Sequence, residues 1–182
     1  MPKILKGLLI GGALLAVIGY FGFGYMKSQT KKASPEVVNT FTVGDATIAV
    51  DYSRPSKKGR VIFGELVPFG KVWRTGANEA TTFEVDKDIR VGGLPLPAGK
   101  YTLWTIPQAN SWTVIFNSKN YSWGVTYGGE AQRDATADVA TVEVPVQNLP
   151  AVVEQFTIDV SGAPPALNLQ WDQTGVSVPI TR

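Results

Sequence analysis

Neither cysteine nor histidine occurs among the 182 residues, and the two gaps together exclude most familiar site chemistry. Without cysteine there is no disulfide, thiolate metal site, iron–sulfur cluster, cysteine nucleophile or lipoprotein acylation site. Without histidine no Ser-His-Asp or Cys-His couple can be built, and no histidine-ligated zinc or haem, which leaves Asp, Glu, Lys and Tyr for any proton transfer. An excess of charge of either sign is also lacking: the net formal charge is +2, too small to point to a nucleic-acid partner. The length fits one domain with an appendage and leaves no room for a second catalytic domain.

A long apolar run is present, however. Residues 7–26 carry no charge and are rich in Leu, Ile, Ala, Val and Gly, with Lys3 and Lys6 before them. A helix of that length spans ~30 Å, the thickness of a bilayer's hydrocarbon core. A cleaved signal peptide shares the basic start and the apolar stretch, but its peptidase site calls for small residues after a short core. Here the run ends in Tyr20, Phe21, Phe23, Tyr25 and Met26, so residues 1–26 are read as an uncleaved transmembrane signal anchor. Lysines flank both ends, and the positive-inside rule does not separate the two orientations. The aromatic outer flank and the β-rich remainder favour a bacterial inner-membrane protein with its N-terminus in the cytoplasm and its domain in the periplasm. At ~100° per residue Gly7, Gly11, Gly19 and Gly22 fall on one face. That stripe is either a packing face for another helix or a flat pigment, or ordinary glycine usage in membrane helices.

Residues 27–35 are polar and basic and close on Pro35, the signature of a short tether with a reach of ~30 Å. From residue 36 onward the pattern has period two. It is clearest at 47–52, 81–85 and 101–106, and further strand-like runs occur at 37–43, 60–66, 89–91, 112–117, 139–146, 154–160, 166–171 and 175–180. Turn residues separate them: Gly44-Asp45, Gly92-Gly93, Pro97-Ala98-Gly99, Ser161-Gly162 and Gln173-Thr174-Gly175. About ten short strands without an amphipathic helix predict an all-β, antiparallel β-sandwich over 36–182, with a closed barrel as the alternative. Residues 117–138 are the least regular and read as a mobile or partner-ordered loop.

Two clusters carry what chemistry there is. Arg54, Lys57, Lys58, Arg60 and Arg74 concentrate charge between 54 and 74, suited to anionic headgroups or to a partner's acidic rim. The plain alternative is a solvated turn with its arginines paired to Asp51, Glu65 or Glu79. The second cluster runs from Val72 to Thr82, where Arg74, Asn78, Glu79 and Thr81 suit a polar ligand, or else Trp73 is core and Asn78 serves a tight turn. Phosphate-loop, dinucleotide and calcium-loop signatures are absent. No catalytic residue, metal ligand or cofactor is assigned, and no enzyme is expected.

The succession Tyr52-Ser53-Arg54-Pro55-Ser56, Gly59-Arg60, Val72-Trp73-Arg74-Thr75-Gly76-Ala77-Asn78-Glu79-Ala80-Thr81 and Pro97-Ala98-Gly99-Lys100-Tyr101 resembles a bacterial envelope family catalogued only as a domain of unknown function. The resemblance covers roughly residues 45–180 and implies export but no activity and no site residue. Together with a retained helix it leads to the expectation of a non-enzymatic accessory or scaffolding subunit. Its partners would be the lipid bilayer and the other subunits of an integral-membrane complex, respiratory or photosynthetic. The competing expectation is a tethered periplasmic binding module for a polar ligand or glycan, using Arg54, Arg60, Arg74, Asn78 and Glu79.

Overall fold

A computed structural model describes residues 3–182, with side chains from Ile10 onward apart from Phe23. The chain divides into two units, one ending at Ala33 and the other spanning Ser34–Arg182. The first is a single helix, α1, Lys3–Ala33. Among the described residues it is the one helix long and apolar enough to cross a membrane. It runs further than expected, because residues 27–33 of the predicted tether are helical. Lys31 and Lys32 lie in the last turn, where cations offset the negative end of the helix dipole. Pro35 then stops the helix by disfavouring helical backbone in the residue before it. A Cβ added to Gly11, Gly19 or Gly22 would meet nothing within 4 Å; Gly7 lies outside the residues whose surroundings are described.

The second unit contains ten strands in chain order: β1 Glu36–Val43, β2 Ala46–Ser53, β3 Ala77–Val85, β4 Ile89–Val91, β5 Leu94–Leu96, β6 Gly99–Pro107, β7 Ser111–Asn117, β8 Asp138–Pro145, β9 Gln147–Ser161 and β10 Ala166–Thr181. They form two antiparallel sheets, β1-β2-β3-β6-β7-β8 and β5-β4-β10-β9, so the architecture is the sandwich and not the barrel. Alternation drives the layering. In β2 Ile48 and Val50 are buried while Thr47 is exposed, and in β8 Ala140, Val142 and Val144 are buried between exposed neighbours, as expected for strands with one face on a core. The inner faces meet in a core that includes Phe83, Leu103, Val114 and Phe116 from the larger sheet and Phe156, Ile158, Leu169 and Val178 from the smaller.

Two expectations about strands are corrected. Residues 60–66 are not a strand but part of a loop, in which Val61-Ile62 alternates only because Ile62 points into the core. Residues 166–171 and 175–180 are one strand, since the turn-like Gln173-Thr174-Gly175 is absorbed by register shifts against β9 around Asp172, the work of β-bulges.

One edge of the smaller sheet is closed by the motif-bearing segment that follows β2. Ser56 bridges Gln155 of β9. The Phe156 amide donates to the Pro55 carbonyl at 3.0 Å, and the Lys57 amide to the Glu154 carbonyl at 2.7 Å. Tyr52 Oη accepts from the Ile158 amide at 2.9 Å. An edge strand otherwise exposes a row of unpaired donors and acceptors; here the larger sheet's own chain covers it. At the other end of the sandwich Arg182 and Lys87 both pair with Asp45, and these two cations hold the Asp45 carboxyl well below the usual carboxylate range.

Candidate functional site

The segment from Trp73 to Thr82 leaves the core and crosses to the outer face of the larger sheet. Trp73 stacks on Trp171 with ring centres 6.0 Å apart and lies edge-on to Trp112 at 6.2 Å, and its indole N–H donates to the Gly76 carbonyl at 3.1 Å. Thr81 Oγ1 donates to the Thr75 carbonyl at 2.7 Å. Asn78 adopts a positive φ of 57°, a conformation asparagine tolerates better than most residues. Its Nδ2 donates to the Ser34 carbonyl at 3.2 Å. Between the register pairs Asp51–Thr82 and Ser53–Ala77, β2 advances two residues and β3 five. The surplus is a wide bulge, and bulges of this kind re-aim side chains. Here it carries Asn78 and Glu79.

Beside that bulge lies a concavity of about 170 Å³ whose lining includes Glu36 of β1, Asp51 of β2, Glu79 and Thr82 of β3, and Tyr121 and Ser122 of the β7–β8 connection. The connection is not loose. Tyr121 lies edge-on to the buried Trp104 at 5.2 Å, accepts from the Asp134 amide at 2.8 Å and donates to Asn117 Oδ1 at 3.3 Å. Arg74 donates to the Trp123 carbonyl at 3.2 Å and lies 5.9 Å from the centre of the Trp123 ring. The irregular stretch therefore folds back over the outer face, which explains why Thr102, Trp104 and Ile115 are buried although they point away from the main core.

Three carboxylates, those of Glu36, Asp51 and Glu79, line the concavity. Burial lowers the Arg74 pKa, and the nearby Glu79 carboxylate opposes that only in part. The chemistry suits an ammonium group or hydroxyls, but the size is restrictive: ligand pockets typically enclose ~300–1,000 Å³. Among the described residues no group of acidic side chains is arranged to hold a metal ion.

The predicted contact residues separate into two places. Arg74, Asn78 and Glu79 gather at the bulge, and only Glu79 lines the concavity. Arg54 and Lys57 belong to the edge closure: Arg54 donates to the Phe156 carbonyl at 3.1 Å and to Thr157 Oγ1 at 2.8 Å, and Lys57 pairs with Asp172; Arg60 is exposed and donates only within its own loop, to the Lys57 and Ser56 carbonyls. Lys58 is exposed, and its amide donates to Glu154 Oε1. Sequence reasoning passed over Glu36, Asp51, Thr82, Tyr121 and Ser122. The available signal was Asp51, a charge in the middle of a strand whose partners alternate inward.

An apolar N-terminal helix followed by a ten-stranded sandwich with a small acidic hollow on its outer face defines a helix-bearing all-β domain protein. The chain belongs to the family described as protein of unknown function DUF2911, whose profile matches residues 34–180. Comparison with curated proteins and with solved structures gave no match.

Proposed function

We propose that the protein is a non-enzymatic accessory subunit, held in the bacterial inner membrane by α1 with its N-terminus cytoplasmic, whose periplasmic sandwich braces a multi-subunit membrane complex, respiratory or photosynthetic. One observation carries the reading. Leu14, Leu15, Ile18, Tyr20 and Phe21 are all more than half exposed around α1, and none of its most apolar window is buried. A helix that is hydrophobic all round requires lipid or other helices to cover it. The sandwich supports the reading in another way, because two of the cations that looked ready for a ligand, Arg54 and Lys57, are committed to closing a sheet edge.

The test is purification at endogenous expression after mild detergent extraction, with mass spectrometry of the chains recovered. A reproducible set of integral-membrane proteins is expected, weakened by Gly11→Leu, which places bulk where the helix surface is open. Recovery as a lone monomer would overturn the proposal. It would instead favour a tethered module for a small polar ligand or glycan, the reading supported by the hollow beside Glu79.

A further inference from the structure

The loop between the edge closure and Trp73 holds a contradiction. Ile62 and Val67 are buried, and Phe63 packs against Trp112 with ring centres 4.7 Å apart. The backbone is cross-tied, with the Leu66 amide donating to the Val61 carbonyl, Val67 to Ile62 and Gly64 to Val67. The Phe69 ring lies over Gly64, where an added Cβ would come within 3.0 Å of it. Yet this firmly held loop presents Val61, Leu66 and Phe69 outward at 54, 44 and 45% exposure. A tied loop has no need to expose three large apolar side chains for its own folding, and three of them within nine residues of one loop are more than the isolated exposed residues of an ordinary surface.

Charge and position identify the occupant. Lys58, Arg60 and Lys71 are exposed and flank the apolar residues in sequence, and Glu65 is the single acid between Lys57 and Lys71. Apolar side chains flanked by cations suit the boundary between anionic headgroups and acyl chains. The loop also lies at the end of the sheet where the chain leaves α1. The Gly70 amide donates to Pro107 at the end of β6, and the Arg54 amide donates to Pro35, the residue before β1. The pairings Glu36–Ser53 and Ser53–Ala77 put the start of β1, the end of β2 and the start of β3 at that same end.

We infer that residues 58–71 form a second membrane contact, in which Val61, Leu66 and Phe69 enter the interface of an anionic bilayer while Lys58, Arg60 and Lys71 meet its headgroups. The inference rests on the reading of α1 as an anchor, and it turns a domain tethered by one helix into one seated on the membrane.

The absence of cysteine makes the test direct. Single-cysteine variants Val61→Cys and Leu66→Cys are spin-labelled in the full chain, with Leu15→Cys reporting the helix and Lys100→Cys, at the far end of the sheet, reporting solvent. Each is reconstituted in vesicles of equal parts phosphatidylcholine and phosphatidylglycerol. Collision with oxygen, which concentrates in lipid, is compared with collision with a water-soluble nickel chelate. The oxygen-to-nickel ratio at 61 and 66 is expected to be several-fold above that at 100, and to fall toward it in pure phosphatidylcholine or when Lys58, Arg60 and Lys71 are all changed to Glu. If 61 and 66 match 100 in both vesicle types while 15 reads as lipid, the loop contact is wrong and the anchor stands. If 15 itself reads as water, the anchor fails and the inference falls with it. Labels aqueous in vesicles but shielded from both reagents in native membranes would assign the loop to a protein partner and overturn the lipid contact.

Discussion

Tyr52 shows how a single hydroxyl can join two sheets. Its ring packs edge-on against Phe156 at 5.9 Å, and its oxygen accepts the Ile158 amide of β9, with a longer bond of 3.4 Å returned to the Ile158 carbonyl. Burial pushes the phenol pKa up, in part countered by that backbone hydrogen bond. Tyr52→Phe keeps the ring and removes only the oxygen. It leaves a buried amide without its acceptor, a loss of about 1–3 kcal/mol, read as a lower urea midpoint with an unchanged slope. An unchanged midpoint would mean that water serves the β9 edge equally well and that Tyr52 matters only for packing. Arg54 belongs to the same closure. Its partners, Phe156 and Thr157, lie 102 and 103 residues away in sequence, so no local pattern could identify them. The sequence reading sought acidic partners nearby, whereas the structure supplies carbonyl and hydroxyl oxygens from the opposite sheet.

Among the elements, β4 and the glycine turn after it were legible, whereas the three-residue β5 was not among the expected strands. Gly92 and Gly93 link Val91 to its partner Leu94, and both have positive φ, 56° and 82°, the type I′ geometry that matches the twist of paired strands. The two glycines differ in their surroundings. A Cβ at Gly92 would lie 2.3 Å from Val142 Cγ1, whereas one at Gly93 meets nothing within 4 Å. Gly93→Ala should therefore cost only the left-handed backbone penalty, ~1–2 kcal/mol. Gly92→Ala adds overpacking of ~1–3 kcal/mol on top. Thermal unfolding of the two variants side by side checks the order, and equal losses would show that β8 yields freely at Val142. The strands around this hairpin were legible because one face of each is wet, and alternation is visible only then. The loop at 60–71 and the long strand β10 were misread for complementary reasons. Ile62, Phe63 and Val67 are apolar anchors for a loop, and Gln173-Thr174-Gly175 are turn residues carried within a bulged strand. The hollow was barely legible, since Glu36, Asp51, Glu79 and Tyr121 meet across three strands and a folded-back connection with no shared local signature.

For the molecule as a whole, the modest net charge conceals a division. Residues 1–35 contain five lysines and no acidic residue, and the remainder carries twelve basic and fifteen acidic residues, so +2 is +5 on the N-terminal segment and −3 on the sandwich. The apolar content divides in the same way. Every buried core residue of the described chain lies at or beyond Val43, and the aromatic cluster of Phe63, Trp73, Trp112, Phe156 and Trp171 is drawn from both sheets. A domain of ~150 residues buries about 70% of the surface its unfolded chain exposes, enough for independent stability, ordinarily ~5–15 kcal/mol. Residues 34–182 expressed without α1 should therefore be soluble without detergent and run as a compact species on gel filtration. They should also give strong near-ultraviolet dichroism from the packed tryptophans and unfold in one cooperative urea transition. The exposed Val61, Leu66 and Phe69 predict one departure from inert behaviour, a tendency to adsorb to anionic vesicles that salt reverses. A fragment that is soluble only in detergent, or that keeps its strands while losing the near-ultraviolet signal, would show that α1 completes the core, and the division into helix and self-sufficient sandwich would then be wrong.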